Sequence, residues 1–292
     1  MARAFHKLEG LGNDFVLFDE RGRDEPSLSV AVRAALCDRH RGVGADGVLT
    51  VLAPRTPAAI ARMHLTNADG SVAEMCGNGL RCVSLFLCEQ GLVRAAEQHV
   101  VDTDAGARGA TVLTAMPLGG AGGERLVRVD MGPARFEEPA QFAVASMRTA
   151  FGRADWLGTT VSMGNPHVVL EVEKLPALDV AATMGAAIER DARYPQRTNV
   201  EWARRAPDGS IDVVVWERGV GLTQACGTGA CAVAAAFAKA GLVPYDVDVT
   251  VRLPGGPLAV RVPADGGAVW MTGPARHVFD GTLPPRSPGQ GT

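Results

Sequence analysis

The sequence predicts a mixed α/β (α+β) protein built from two pseudo-symmetric domains. The chain has 292 residues, which suits two domains of about 150 residues each. The tetrapeptide Cys-Gly-x-Gly occurs twice, starting at Cys76 and at Cys226, and the offset is 226 − 76 = 150. Gly91-Leu92-Val93 returns as Gly241-Leu242-Val243 at the same offset, and the Asn13 turn returns at Asn165 with an offset of 165 − 13 = 152. Ordered matches at nearly constant spacing indicate a duplicated unit.

Short apolar runs bounded by turn residues predict strands in the first half, and apolar residues at helical spacing predict helices. Ser27 or Ser29 can cap the first helix. The stretch after Cys76 is apolar nearly all round, which is typical of a buried helix. The predicted elements, in order, are strands Ala4–Leu8 and Phe15–Phe18, helix Ser29–Arg39, strands Val48–Leu52 and Ile60–Leu65, helix Gly79–Glu89, and strands His99–Asp104 and Gly109–Met116.

The second half repeats this order. An Asn-bearing strand follows Gly164, a second loop holds Thr198-Asn199-Val200, and a strand then leads into the Cys226 turn and another apolar helix. The predicted elements are strands Leu126–Met131 and Thr160–Met163, helix Val180–Glu189, strand Ile211–Trp216, helix Ala230–Lys239, and strands Asp246–Leu253, Ala259–Val262, Ala268–Thr272 and His277–Asp280. The linker with four glycines in seven residues, Leu118–Glu124, predicts the domain boundary.

Composition excludes several classes of partner. The chain is 47% hydrophobic and 21% charged with a net charge of −3, so neither nucleic acid nor an anionic membrane is expected to bind. The first residues lack the apolar run of a signal peptide, and no apolar stretch is long enough to span a bilayer. We therefore expect a cytoplasmic protein whose six cysteines are reduced. Their spacing from histidines resembles no zinc site, so no metal is expected.

Cys76 and Cys226 each stand in a glycine-rich turn at the start of a predicted helix. Free N–H groups and the positive helix end favour a thiolate, and the same N–H groups can hold a carboxylate. A thiol on each side of one bound α-carbon could remove a proton from one face and deliver a proton to the other. That reaction would invert the centre. The remaining cysteines lie within apolar helices and are interpreted as packing residues: Cys37, Cys82, Cys88 and Cys231.

Other cysteine chemistries fit less well. A phosphatase loop needs Cys-x5-Arg, but Arg81 is one position short and the second turn has no arginine. A cysteine hydrolase would leave the second cysteine turn unexplained. Pyridoxal phosphate needs a Schiff-base lysine, and the three lysines lie outside the glycine-rich and turn motifs: Lys7, Lys174 and Lys239. A reaction without a cofactor is therefore favoured.

Taken together, the motifs GLGNDFV, RGVGADG, NADGSVAEMCGNG, GNPH, ERG and ACGTGACA resemble those of the diaminopimelate epimerases over nearly the whole chain. The resemblance implies a cofactor-free isomerase that interconverts LL- and meso-diaminopimelate for lysine and peptidoglycan precursor synthesis. It implies two domains, each a mixed sheet curled around a central helix, with the active site in the interdomain cleft. The last strand would return to the first domain, giving domains of 1–124 plus 276–292 and of 125–275. A homodimer is also implied.

The resemblance assigns roles to individual residues. Cys76 and Cys226 would exchange protons with the α-carbon, and Glu217 and His167 would tune the thiols and hold the substrate ammonium. Two groups of residues would bind the substrate. The reacting carboxylate would be held near Asn13, Gly77, Asn78, Gly227 and Thr228, and the distal amino-acid end by Asn67, Asn165, Asn199 and Arg218. A turn or cap is the better interpretation of each asparagine alone, and a strand-edge structural histidine stays an alternative for His167.

Three positions depart from the family pattern. Gly47 stands where many members have glutamine, Leu222 where glutamate is usual, and Phe279 where a tyrosine associated with dimer contact is common. Two other functions stay open: a racemase of a different amino acid in the same fold group, and an amino-acid-binding protein without catalysis. Arg218 and the three distal asparagines favour a substrate with a second amino-acid end, and the retention of both cysteine turns favours an enzyme.

Overall fold

The computed structural model describes residues 2–114, 124–136, 140–142 and 156–285, with only the backbone described at 140–142 and at Trp156. The chain divides into two compact units. Unit 1 comprises Met1–Val129 and Pro274–Thr292, and unit 2 comprises Asp130–Gly273. The Gly-rich linker predicted at Leu118–Glu124 lies outside the described residues except for Glu124, which opens a strand.

Unit 1 is a curled mixed sheet with one long helix. Its helices are α1 (Val30–Leu36) and α2 (Gly77–Glu89). Its strands are β1 (Arg3–Gly10), β2 (Asn13–Glu20), β3 (Gly47–Leu52), β4 (Ala61–Asn67), β5 (Val72–Ala73), β6 (His99–Thr103) and β7 (Gly106–Val112), joined by most of β8 (Glu124–Pro133).

Unit 2 repeats the plan. Its helices are α3 (Leu178–Glu189) and α4 (Gly227–Lys239). Its strands are β9 (Arg135–Phe136), β10 (Ala140–Phe142), β11 (Trp156–Ser162), β12 (Pro166–Glu171), β13 (Asn199–Arg205), β14 (Ile211–Glu217), β15 (Gly221–Leu222), β16 (Asp248–Leu253) and β17 (Gly256–Arg261), with the beginning of β18 (Ala268–Leu283).

The same pairing sequence recurs in both units. In unit 1, β1 pairs antiparallel with β2, β2 parallel with β3, β3 antiparallel with β4, and β4 parallel with β6. In unit 2, β11 pairs antiparallel with β12, β12 parallel with β13, β13 antiparallel with β14, and β14 parallel with β16. The duplication seen in the sequence is thus a duplication of sheet topology.

Each unit curls around one buried helix. Helix α2 packs on β1, β3, β4 and β7, and α4 packs on β11 to β14, β16 and β17. Gly77–Leu87 are all buried in α2, and every residue of α4 from Ala230 to Ala238 is buried. Strands on several sides shield these apolar helices from water. This burial of apolar surface is the main contribution to the stability of the helices. The predicted fold class is confirmed.

The last strand differs from its prediction. Ala268–Thr272 and His277–Asp280, expected as separate strands, belong to the continuous β18. Gly273-Pro274 lies between the two predicted strands, and proline cannot donate to a strand ladder. However, β18 pairs with β17 up to Thr272 and with β1 from Arg276 onward. Pro274 lies between the residues of β18 that pair with β17 and those that pair with β1, and from Pro274 onward the strand belongs to unit 1.

Five strands were missed, namely the seven-residue β13 and the strands of two or three residues β5, β9, β10 and β15. Strand β13 occupies Asn199–Arg205, where the sequence suggested only a loop around Asn199. Its residues from Asn199 to Ala203 are buried on both faces of the sheet, although polar and apolar residues alternate from Asn199 to Trp202 as in a half-exposed strand. None of the helices described above combines the length and hydropathy that a membrane-spanning helix requires.

Candidate functional site

The first glycine-rich turn places Cys76 as the N-cap of α2. Cys76 has extended backbone angles, and its Sγ accepts a hydrogen bond from the N–H of Gly79 at 3.3 Å. The following residues, Gly77 and Asn78, are the first of the helix and are buried. Their backbone N–H groups belong to the helix start, where the intrahelical ladder has no acceptor for them. This geometry suits an anion, as the sequence predicted.

Asn13 and Asn78 are brought together by a chain of hydrogen bonds in unit 1. Asn78 Nδ2 donates to Asn13 Oδ1 at 3.1 Å, and Asn13 Nδ2 donates to Asp46 Oδ2 at 2.7 Å. Asn78 Oδ1 accepts from Arg81 at 2.9 Å, and the Arg81 Nε donates to the carbonyl of Pro274 at 3.0 Å. Both asparagines are therefore fixed beside the start of α2.

Asn67 lies at the end of β4, directly opposite Gly47 on β3. Its Nδ2 donates to Ser71 Oγ at 2.9 Å. A Cβ on Gly47 would lie 2.9 Å from Leu65 Cδ1 and 3.0 Å from the Thr66 carbonyl oxygen. Leu65 and Thr66 therefore crowd the position that the Cβ of a glutamine at residue 47 would occupy.

The second turn places Cys226 as the N-cap of α4 in the same way. Its Sγ accepts from the N–H of Gly229 at 3.4 Å and lies 3.5 Å from Thr228 Oγ1. Cys226 is only 5% exposed. The position of both cysteines at helix starts agrees with the sequence analysis, and each sulfur occupies the place of a capping side-chain oxygen.

Burial raises the pKa of the Cys226 thiol well above its ordinary value, and the nearby carboxyls of Glu217 and Glu201 raise it further. Hydrogen bonds from Thr228 and the Gly229 N–H act in the opposite direction but do not outweigh these effects. The expectation that the helix start would lower this thiol's pKa is therefore wrong for Cys226. Desolvation and the two carboxyls outweigh the hydrogen bonds from Thr228 and the Gly229 N–H, so the thiol form is favoured.

Glu217 ends β14 beside this thiol. Burial raises the pKa of its carboxyl, while hydrogen bonds with Thr223 and Cys226 lower it. The Thr223 hydroxyl donates to Glu217 Oε1 at 2.5 Å. Glu217 is thus in direct contact with the cysteine that it was predicted to tune.

His167 belongs to the same cluster and is completely buried. Its Nδ1 lies 2.7 Å from Glu201 Oε1, and its Nε2 lies 3.1 Å from Asn165 Oδ1. Asn165 in turn donates to Thr228 Oγ1 at 3.3 Å. A chain of contacts therefore joins His167 through Asn165 and Thr228 to the Cys226 turn.

Glu201 is the member of this cluster that sequence reasoning missed. It is fully buried on β13, and burial raises the pKa of its carboxyl although His167 lowers it. Its Oε1 lies 2.9 Å from where a Cβ on Gly229 would be. The comparison of the two halves contained a signal for Glu201. The corresponding residue of the first half, at 201 − 152 = 49, is the apolar Leu49, so a charged residue stands at a position that is apolar in the other repeat.

Asn199 and Arg218 form a second group in unit 2. Asn199 stands opposite His167 in the register of β12 and β13, and its Nδ2 donates to the Pro166 carbonyl at 2.8 Å. Its Oδ1 accepts from the Arg218 N–H at 2.9 Å. The exposed Arg218 side chain donates to the Gln196 carbonyl at 3.0 Å, which leaves donors of its guanidinium for other acceptors.

Comparison with known proteins agrees with these features. The sequence model of the diaminopimelate epimerase family matches residues 5–137 and 159–278. A diaminopimelate epimerase of Synechococcus sp. (strain JA-2-3B'a(2-13)) is 43% identical over 291 residues, covering 96% of this chain and 97% of its own length. One of Thermosynechococcus vestitus is 42% identical over 297 residues, covering 97% and 100% respectively.

A solved structure shows the same fold at lower identity. The crystal structure of a probable proline racemase from Agrobacterium radiobacter, with bound carbonate, has a TM-score of 0.73 and 18% identity. It covers 98% of this chain and 94% of its own chain. The resemblance drawn from the motifs is confirmed by the family match and by relatives of over 40% identity. This chain belongs to the diaminopimelate epimerase family.

Proposed function

We propose that this protein interconverts LL-2,6-diaminopimelate and meso-diaminopimelate without a cofactor, with Cys76 and Cys226 as the two proton carriers. The observation that carries the proposal is the matched pair of helix starts. In each unit a cysteine Sγ accepts the N–H of the glycine three residues on, at 3.3 Å for Cys76 and 3.4 Å for Cys226. Family membership supports the reaction, which we assign to lysine and peptidoglycan precursor synthesis.

The proton balance is simple. One cysteine, as thiolate, takes the α-proton and becomes a thiol, while the electron pair of the broken C–H bond remains on the α-carbon. The other cysteine, as thiol, protonates the opposite face and becomes a thiolate, so the centre is inverted. The two cysteines exchange roles in the reverse direction. Helix-start N–H groups at Gly77-Asn78 and Gly227-Thr228 would hold the carboxylate and stabilise charge that develops next to it.

Cys226 is suited to begin as the acid. Its pKa is raised by burial and by the two carboxyls beside it, so the thiol form dominates near neutral pH. A substrate ammonium next to Glu217 would offset part of that negative charge and make the thiolate of Cys226 more accessible during turnover. The starting base is then assigned to Cys76.

Residues outside the two cysteine turns fit the distal amino-acid end of a long substrate. Arg218 is exposed and can offer two parallel N–H groups to a carboxylate. Asn199 fixes the Arg218 backbone, and Asn165 reaches from the His167 cluster to Thr228. We assign these residues, with Asn67, to the distal end, which favours diaminopimelate over an amino acid with a single head.

The test is isotope exchange and inversion in deuterated water with Cys76→Ala and Cys226→Ala. Each variant should invert either isomer at least about 100-fold more slowly than the wild type, because one proton carrier is missing. Mass spectrometry measures deuterium at the α-carbon, and chiral chromatography measures inversion. Cys88→Ala, in the last turn of α2, is the matched control and should retain wild-type rates.

Three results would contradict the proposal. Inversion by either cysteine variant within tenfold of the wild-type rate would exclude the two-cysteine mechanism. Comparable turnover of a mono-amino acid such as proline in a substrate panel would instead support a different racemase. Saturable binding of diaminopimelate by the wild type without any deuterium exchange would identify a binding protein.

A further inference from the structure

We propose that His6, His277 and Asp280 form a binding site for a divalent transition-metal ion of the Zn²⁺ type. One ligand atom from each side chain lies within 4.8 Å of the other two. The cluster belongs to unit 1 and shares no residue with the proposed reaction. Sequence spacing indicated no metal, because these residues come from opposite ends of the chain and become neighbours only through strand pairing.

An irregularity in the sheet brings the three side chains to one place. His6 on β1 stands directly opposite Asp280 on β18. Further along, Lys7 pairs with Phe279 and Leu8 pairs with His277, so Val278 is an extra residue in β18. Residues three apart on a regular strand point to opposite faces. The extra residue reverses that alternation, as a bulge does, and places His277 beside Asp280.

The nitrogens of both histidines converge on one oxygen. His6 Nδ1 lies 2.6 Å from Asp280 Oδ1, and His277 Nε2 lies 2.8 Å from the same atom. Two ligand atoms at about 2.1 Å from one tetrahedral ion are roughly 3.4 Å apart. Separations of this size are reached by a rotation of the Asp280 side chain, which is 65% exposed, once its hydrogen bonds to the two rings are exchanged for bonds to the ion.

Surrounding groups support a cation at this point. The second ring nitrogen of His277, Nδ1, lies 2.9 Å from Glu89 Oε2. A carboxylate that holds the far nitrogen of a histidine is the usual partner of a metal ligand, because it fixes the ring and its tautomer. Glu89 is the last residue of α2, whose C-terminal end carries negative partial charge. The His6 ring is held 4.8 Å from the Phe86 ring of the same helix.

The ligand set favours zinc and its neighbours over magnesium or calcium. Imidazole nitrogens suit Zn²⁺, Ni²⁺ and Cu²⁺, whereas Mg²⁺ and Ca²⁺ prefer oxygen alone. Three protein ligands leave room for water in a fourth position. Bound metal would fasten β1 to the returning end of β18, which are the first and last strands of unit 1.

The experiment is calorimetric titration of the whole protein with Zn²⁺. We expect one Zn²⁺ per chain at this cluster, with affinity at least about tenfold lower in His6→Ala and in His277→Ala. The matched control is His40→Ala, which removes an exposed histidine elsewhere in unit 1 and should leave the affinity unchanged. Zn²⁺ at roughly 100 times its Kd should raise the unfolding midpoint of the wild type by about 5 °C.

X-ray absorption of the zinc-loaded wild type identifies the ligands even where a variant fails to fold. Imidazole and carboxylate give nitrogen and oxygen neighbours at about 2.0–2.1 Å, whereas a cysteine site gives sulfur at about 2.3 Å. The proposal is overturned by sulfur in the first coordination shell, by affinity unchanged in both histidine variants, or by the absence of Zn²⁺ binding to the wild type.

Discussion

Glu201 and His167 differ in chemistry from their counterparts in the first repeat. At the offset of 152, His167 corresponds to Phe15 and Glu201 to Leu49. Phe15 and Leu49 are buried core residues of unit 1, whereas the His167–Glu201 pair is equally buried at 2.7 Å. Two positions that are apolar in unit 1 are thus a buried polar pair beside Cys226 in unit 2, and the desolvation cost of such a pair is offset only by its own hydrogen bonds.

We predict that Glu201→Leu destabilises unit 2 by about 1–3 kcal/mol, because His167 Nδ1 loses its buried partner. The double variant His167→Phe/Glu201→Leu copies the apolar pair of unit 1 and should recover most of that loss. It should nevertheless epimerise at least about tenfold more slowly than the wild type, since the Cys226 turn loses the His167–Asn165 contact. Urea unfolding and deuterium exchange measure the two effects separately.

A purely structural pair would give a different result. If the double variant recovered both stability and the wild-type rate of epimerisation, the polar pair would have no part in catalysis. If the double variant stayed as unstable as Glu201→Leu, the apolar replacement would not fit, and the correspondence between the two repeats would fail at this position.

At the scale of elements, an ion-pair group joins β1, β2 and the segment that precedes β3. Asp14 Oδ2 lies 2.6 Å from Lys7 Nζ, and Asp14 Oδ1 lies 2.6 Å from Arg39. Burial raises the pKa of Asp14, but the hydrogen bonds from Arg39 and Lys7 outweigh it and lower the pKa from 3.8 to about 2. The carboxylate therefore stabilises the folded state above pH 3.8, and this contribution is lost as the pH falls toward 2.

We predict that Asp14→Asn lowers the free energy of unfolding at pH 7 by about 1–2 kcal/mol, after allowance for the exposure of Arg39. The difference from the wild type should shrink as the pH is lowered from 5 to 2, as followed by urea unfolding. Asp248→Asn, which removes the partner of Arg261 in an exposed pair, is the control and should cost at most about 1 kcal/mol. A difference between Asp14→Asn and wild type that did not change with pH would exclude the ion pair as its cause.

Most of these elements were predicted from the sequence because the same order of motifs occurs in both halves of the chain. Helices α2 and α4 were predicted from their apolar residues, and they begin at Gly77 and Gly227 where the cysteine turns end. Strand β13 was missed although polar and apolar residues alternate from Asn199 to Trp202, and Glu201 was missed with it because a glutamate in such a pattern is expected on an exposed face. The pKa of Cys226 depends on burial and on carboxyls from two strands, which no local pattern contains. The contact of His6 with His277 likewise requires the pairing of β1 with β18.

At the scale of the whole molecule, the homodimer implied by the family resemblance stays a prediction. Val278 and Phe279 are adjacent on β18 and are 49% and 47% exposed, respectively. The Phe279 ring packs edge-on against Phe5 at 6.1 Å, so the aromatic side chain is held in place at the surface. A fixed apolar surface of this kind is typical of a protein interface.

We expect Phe279→Asp to convert the dimer to a monomer, because a carboxylate would have to be desolvated in the interface. Sedimentation equilibrium over a range of protein concentrations measures the change in association constant. Leu178→Asp is the matched control, since Leu178 is 60% exposed at the first position of α3, where an acidic residue suits the helix start. A Phe279→Asp protein that sediments like the wild type, or a wild type that is monomeric at every concentration, would show that this surface is no dimer contact.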